Sequence, residues 1–228
     1  MGVVSAANPE QNFRHSACKC RREPVRRMNE VLSVAQYVPG KNAAESEGLI
    51  VGDLIQLFNT LFSHTENTRL VAGGSEPEYL PADDDCPYHR IIFAHGFYES
   101  ALHEISHWCI AGAARRLLPD FGYWYEPDGR SAERQREFEV VEVKPQALEW
   151  ILSEACGRRF HISTDNLDGD PEAVAAGQAR FRDAVLAQAH KYNENGLPAR
   201  AEILKTALLD YYQRHNEFGA HLFVPERI

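Results

Sequence analysis

No stretch of the sequence approaches the roughly 18 consecutive apolar residues that a membrane-spanning helix needs. No membrane partner is therefore expected. Cysteine is scarce, five among 228 residues and odd in number. That excludes a disulfide-stapled scaffold and suits the reducing cytoplasm. Cys18 and Cys20 form a C-x-C pair, but no second pair follows at zinc-site spacing, so a structural zinc is not expected. The glycine patterns of phosphate and dinucleotide loops are missing. Asp165–Asp170 (DNLDGD) begins like a calcium loop, but its third position is Leu167 and its twelfth Ala176, so it fails.

An excess of positive charge is lacking too. Acids outnumber bases 33 to 24, for a net charge of −9. The balance is uneven along the chain. Residues 1–45 hold seven bases and four acids, +3, which leaves −12 for residues 46–228. The first 45 residues have few large apolar side chains, no sustained period and a basic run, CKCRREPVRRM. They read as a poorly ordered basic extension. Residues 46–228 read as one working domain, with no nucleic acid expected as its partner.

What is present is a set of helical periods around a few short apolar runs. Ile50, Leu54, Leu57 and Leu61 predict a helix over 47–62. Residues 73–89 read as loop, with a short extended piece at Tyr79–Leu80, and Arg90 to Ala94 as a buried strand. Ser100 to Leu118 reads as a helix, with Ser100 as its cap and Pro119 as its stop. Phe138, Val141, Pro145, Leu148 and Leu152 predict a helix over 133–155, bent at Pro145 and stopped by Gly157. Pro171 and Pro198 open two more, over 171–193 and 198–215. Five or six helices and a few short strands, mixed rather than alternating, make the fold class α+β.

One motif carries chemistry. His103-Glu104-Ile105-Ser106-His107 is H-E-x-x-H. On a helix its two histidines share a face, so both imidazoles can bind one metal ion. A catalytic metal usually takes three protein ligands and keeps an open position. The next helix offers Glu142 as the third ligand and Glu139 as the alternate, both placed opposite the stripe of Phe138, Val141 and Leu148. Two histidines and a carboxylate suit hydrolytic zinc and equally the open triad of non-haem Fe(II) oxygenases. Glu104 would be the general base in the first case and an orienting or proton-handling group in the second. Spacing alone favours a zinc-dependent HExxH peptidase. Cys109 and Cys156 fall in helices and are expected to be buried, Cys86 to be exposed, and His95 to be a turn residue.

The surrounding residues point elsewhere. PYHRIIFAHGFYESALHEISHWCIAGAARR (87–116), DFGYWYEPDGR (120–130) and FEVVEVKPQALEW (138–150) resemble the bacterial elongation factor P hydroxylase family. NTRL (67–70), EPEYLPAD (76–83) and TDNLDGD (164–170) fit as well, so the resemblance spans about residues 48–215. It implies a metal-dependent monooxygenase that hydroxylates the β-lysylated lysine of elongation factor P, with Fe(II) as the working metal and O₂ as substrate. The motif leaves the electron donor open. The resemblance also implies a metalloprotease-like (zincin-like) fold, His103, His107 and Glu142 as metal ligands, and Glu104 as a catalytic group.

The body charge of −12 suits a cationic lysine arm. Glu76, Glu78 and Asp83–Asp85 are candidates to line its path. Tyr98, Tyr123, Trp124 and Tyr125 are candidates to wall it, with a core role the alternative for each. A zinc peptidase of the same fold, and a non-catalytic module docking a translation factor, are the competing readings.

Overall fold

The computed structural model describes residues 51–122, 132–163 and 171–228. The basic extension with Cys18 and Cys20, the aromatics Tyr123–Tyr125 and the DNLDGD loop lie outside the described residues. Leu54, Leu57, Phe58 and Phe62 bury one side of α1 (Val51–Phe62). Three short strands follow: β1 (Thr68–Ala72), β2 (Glu78–Leu80) and β3 (His89–Phe93). They form a sheet ordered β1-β3-β2, with β1 parallel and β2 antiparallel to β3. β2 coincides with the expected extended piece and β3 with the expected buried strand. β1 was not expected from the sequence. Gly73, just after it, lies so close to β3 that an added Cβ would run into the Ile92 side chain.

The motif helix, α2, spans Tyr98–Ile110. The expected cap and stop are both corrected. Phe97 is the capping residue, and the Ser100 hydroxyl instead accepts the Ala94 N–H at 3.0 Å. The helix ends eight residues before Leu118 because its last carbonyls are taken elsewhere. The Arg200 guanidinium donates to the carbonyls of Trp108 (2.8 Å), Cys109 (3.2 Å) and Ala111 (2.6 Å). It also lies over the Trp108 ring, 4.6 Å from its centroid. Pro119 then opens a turn through the left-handed residues Asp120 and Phe121 rather than ending α2.

The long helices are α3 (Ala132–Cys156), α4 (Pro171–Asn195) and α5 (Ala199–Tyr212), with Pro198 at the capping position of α5. Among the described residues, five helices and one small sheet make a single α+β domain. Helix α3 is its axis and packs on α2, α4 and α5. From Pro145 to Cys156 it is buried on every side. The expected stripe therefore does not describe its inner face. Val141 is 37% exposed, whereas Glu142, Gln146, Glu149, Ser153 and Glu154 are buried. Gly157, at φ +74, ends α3 as expected. The Arg158 N–H reaches the Ser153 carbonyl at 2.9 Å and the Gly157 N–H that of Glu154 at 3.1 Å, the paired bonds of a Schellman cap.

Two apolar clusters fill the domain. One joins α1, the sheet, α2 and α5, and has Phe58, Phe62 and Trp108 in mutual ring contact near 5 Å (4.9, 5.1 and 5.0 Å). The other lies between α3, α4 and the C-terminal turns, around Trp150, Phe160, Phe181 and Phe223. All three described cysteines are buried, so Cys86 corrects its expectation; its N–H bonds Asp83 at 2.7 Å.

The C-terminal turn is tied to α3 by charge. Arg227 donates to both carboxylate oxygens of Glu154 (2.8 and 2.9 Å), to which the Trp150 indole also donates (3.3 Å). Glu154 is buried, so Arg227→Ala strands its carboxylate. A fully buried pair broken this way costs about 3–5 kcal/mol. Arg227 is 44% exposed and water can replace part of it, so about 2 kcal/mol is expected here. Urea unfolding of the variant checks that figure.

Candidate metal centre

Helix α2 places its motif by burying Ala101, Leu102, Ile105 and Trp108, all at 0% exposure. That orientation turns His103 and His107 toward α3. The two Nε2 atoms face each other at 3.1 Å. Glu142 of α3 completes the group: its Oε1 lies 3.2 Å from His107 Nε2 and its Oε2 3.5 Å from His103 Nε2. One ligand atom from each of the three residues lies within 4.8 Å of the others.

These distances suit an ion. Donors held at about 2.1 Å from one metal sit about 3.0 Å apart at octahedral angles and about 3.4 Å apart at tetrahedral ones. Glu142 Oε2 adds a second observation. It is buried and has no hydrogen-bond partner, a costly state for a carboxylate oxygen. A divalent cation between the three residues would satisfy it. Two imidazoles and one carboxylate fit zinc and Fe(II) alike.

The electrostatics follow from the crowding of carboxylates. Burial pulls the His103 imidazole down, but the hydrogen bond and charge of Glu149, then the charges of Glu142 and Glu104, outweigh it and hold it at about 10. Burial pushes Glu142 up, but the hydrogen bond and charge of His107 and the charge of His103 hold it below its ordinary value. The nearby Gln146 amide adds to the lowering, and its side chain is fixed by Ser163, donating to the carbonyl at 2.8 Å and accepting from the N–H at 3.1 Å. Burial leads in raising Glu104, and the charges of Glu142 and Asp120 add to it against both histidines.

Asp120 belongs to a strained loop beside the centre. Asp120 and Phe121 both adopt left-handed backbone (φ 48 and 57), which costs non-glycine residues about 1–2 kcal/mol each. The Tyr79 N–H donating to Asp120 Oδ1 at 2.8 Å, and Phe121 stacked on Tyr79 at 4.1 Å, hold it there.

The other candidates separate clearly. Glu139 does not join the group; it accepts from Gln135 at 3.4 Å and faces Gly177 of α4. His95 is a turn residue, at φ 54, with its N–H on the Gly74 carbonyl. Tyr98 is a core residue at 4% exposure, its hydroxyl beside Cys156 Sγ (3.4 Å) and the Tyr212 hydroxyl (3.2 Å). Asp83 is taken by Arg90 at 2.7 Å, while Glu76, Glu78, Asp84 and Asp85 are exposed. Sequence reasoning missed Glu149, whose Oε2 lies 2.8 Å from His103 Nδ1. Its signal was the seven-residue step from Glu142, two helical turns along the same side.

The comparisons agree with one another. The family model described as elongation factor P hydroxylase matches residues 57–222. A Haemophilus influenzae protein named elongation factor P lysine hydroxylase is 56% identical over 171 residues, covering 75% of this chain and 94% of the relative. The span matched by the family model takes in the motif helix, Glu142 and Glu149.

Proposed function

The chain belongs to the elongation factor P hydroxylase family, and from that premise we propose that it hydroxylates the β-lysylated lysine of elongation factor P at a centre held by His103, His107 and Glu142. The observation that carries this reading is the convergence of those three residues, with a buried Glu142 Oε2 that has no hydrogen-bond partner. A redox-active divalent metal there, taken as Fe(II), supplies the activation of O₂ that an unactivated C–H bond requires. One oxygen atom enters the C–H bond and the other leaves as water, with two electrons and two protons drawn from a reductant.

The chain's own residues hold and orient. His103, His107 and Glu142 would hold the ion with three protein donors, fewer than its full set of coordination positions. Glu104, half-buried on the motif helix, takes or gives a proton at its carboxylate. The acidic body, −12 over residues 46–228, favours the approach of a cationic arm over neutral competitors. We assign the activity to residues 46–228, with 1–45 as an extension, and place it in the cytoplasm, where its substrate works. No helix among the described residues is long and apolar enough to cross a membrane.

The test is direct. Purified protein loaded with Fe(II), given reductant and air, should add one oxygen atom to β-lysylated elongation factor P, read as intact mass. Unmodified elongation factor P should gain none. An unchanged mass for the β-lysylated form would defeat the proposal.

A further inference from the structure

His103 is held at both of its nitrogens by carboxylates of one helix. Glu142 lies 3.5 Å from Nε2, and Glu149 lies 2.8 Å from Nδ1. An imidazole offers a lone pair at Nε2 only when its proton sits on Nδ1. An acceptor fixed at Nδ1 therefore selects both the tautomer and the rotation of the ring. Glu149 is such an acceptor. It is 8% exposed, its neighbours Leu148 and Trp150 are fully buried, and His103 is its one hydrogen-bond partner among the described residues. A carboxylate enclosed with a single partner is a poor device for stability, because its desolvation rivals what the contact returns. Its value lies in what it does to the ring.

We propose that Glu149 is a positioning residue of the metal centre: it holds His103 with Nε2 aimed at the ion and strengthens that nitrogen as a donor by placing a buried negative charge behind it. This rests on the metal-centre reading above. The arrangement divides labour along α3. Glu142 meets the ion, and two turns further on Glu149 supports the histidine that meets it. The buried charge also offsets the positive charge of a divalent cation, which a neutral acceptor at the same place would not do. Outer partners of this kind typically carry 10–100-fold in metal affinity, so an effect in about that range is the expectation.

Glu149→Gln and Glu149→Ala separate the two contributions. Gln keeps an oxygen for the Nδ1 proton and loses the charge; Ala loses both. Co(II) is the probe, titrated into metal-free full-length protein against a competing chelator and followed by its visible absorption. Glu149→Ala should weaken Co(II) binding about 10–100-fold. Glu149→Gln should weaken it less, by about tenfold at most. The Co(II) bands should shift in both. Thermal unfolding of the metal-free variants supplies the control, since a purely structural role would lower the midpoint and leave the Co(II) affinity and bands in place. If both variants bind Co(II) within twofold of wild type with unchanged bands, the positioning role is wrong while the metal centre stands. If wild-type protein binds no Co(II), the centre itself falls, and this proposal with it. Gln is isosteric with Glu, so it carries the test should the Ala variant fail to fold.

Discussion

His107→Ala should give a protein that no longer retains a divalent metal and leaves elongation factor P without its added oxygen. His107 is 7% exposed and its Nε2 meets both His103 and Glu142. Removing it takes away one of three donors and the main group that holds Glu142 ionised. Burial then governs Glu142, its carboxyl protonates more readily, and the second donor weakens with the first. The loss should exceed the 10–100-fold typical of outer-sphere substitutions, so at least about 100-fold in metal affinity is expected. Metal content after dialysis against a chelator measures it. Glu142→Gln should behave similarly while keeping the shape of the site, because an amide is a far weaker donor than a carboxylate. Linkage supplies an independent readout. A metal at about 100 times its dissociation constant stabilises the fold by about 2.7 kcal/mol. Chelation should therefore lower the unfolding temperature of wild-type protein and leave that of His107→Ala unmoved. Full metal retention by His107→Ala would place the centre elsewhere.

The parts of this site that were legible in the sequence are those set by local spacing. Two histidines four apart on a helix share a face whatever surrounds them, so His103 and His107 could be paired without a structure. Glu142 could be narrowed to one of two carboxylates on the next helix, but the choice over Glu139 depends on rotation about α3. Neither that rotation nor the role of Glu149 follows from the amphipathic pattern. A helix enclosed by α2, α4 and α5 has no solvent face along its buried half, so polar residues there mark buried contacts rather than an exterior. The stripe that included Val141 was misleading for that reason. The end of α2 was illegible for another. It is set by Arg200, some ninety residues further on, whose guanidinium takes the carbonyls that a continuing helix would have used. β1 is a short, half-polar run whose pairing with β3 supplies what its own residues do not announce. Gly157, by contrast, was legible because a left-handed residue closing a helix is a local requirement.

Glu104→Gln should keep the metal and slow hydroxylation by about 100-fold or more, the lower end of what a positioned proton-transfer group contributes. Glu104 stands between the two histidines in the motif but is not among the three converging donors, so metal content should match wild type. Gln preserves size and hydrogen bonding yet cannot take or release a proton, which makes it the informative replacement. A group that only orients its neighbours would tolerate it. The environment favours proton handling. Burial raises the Glu104 carboxyl above its ordinary value, and the charges of Glu142 and Asp120 add to the effect against both histidines. The same substitution also addresses peptide hydrolysis, in which this residue would activate water. The hydroxylase reading expects no cleavage of unstructured peptides by wild-type or variant protein loaded with zinc. Initial rates of oxygen addition, followed by mass with Fe(II) and reductant in excess, decide the matter. A variant as fast as wild type would remove Glu104 from the chemistry and leave it an orienting neighbour of the ligands. A slow variant with full metal content would identify it as the group that moves the proton.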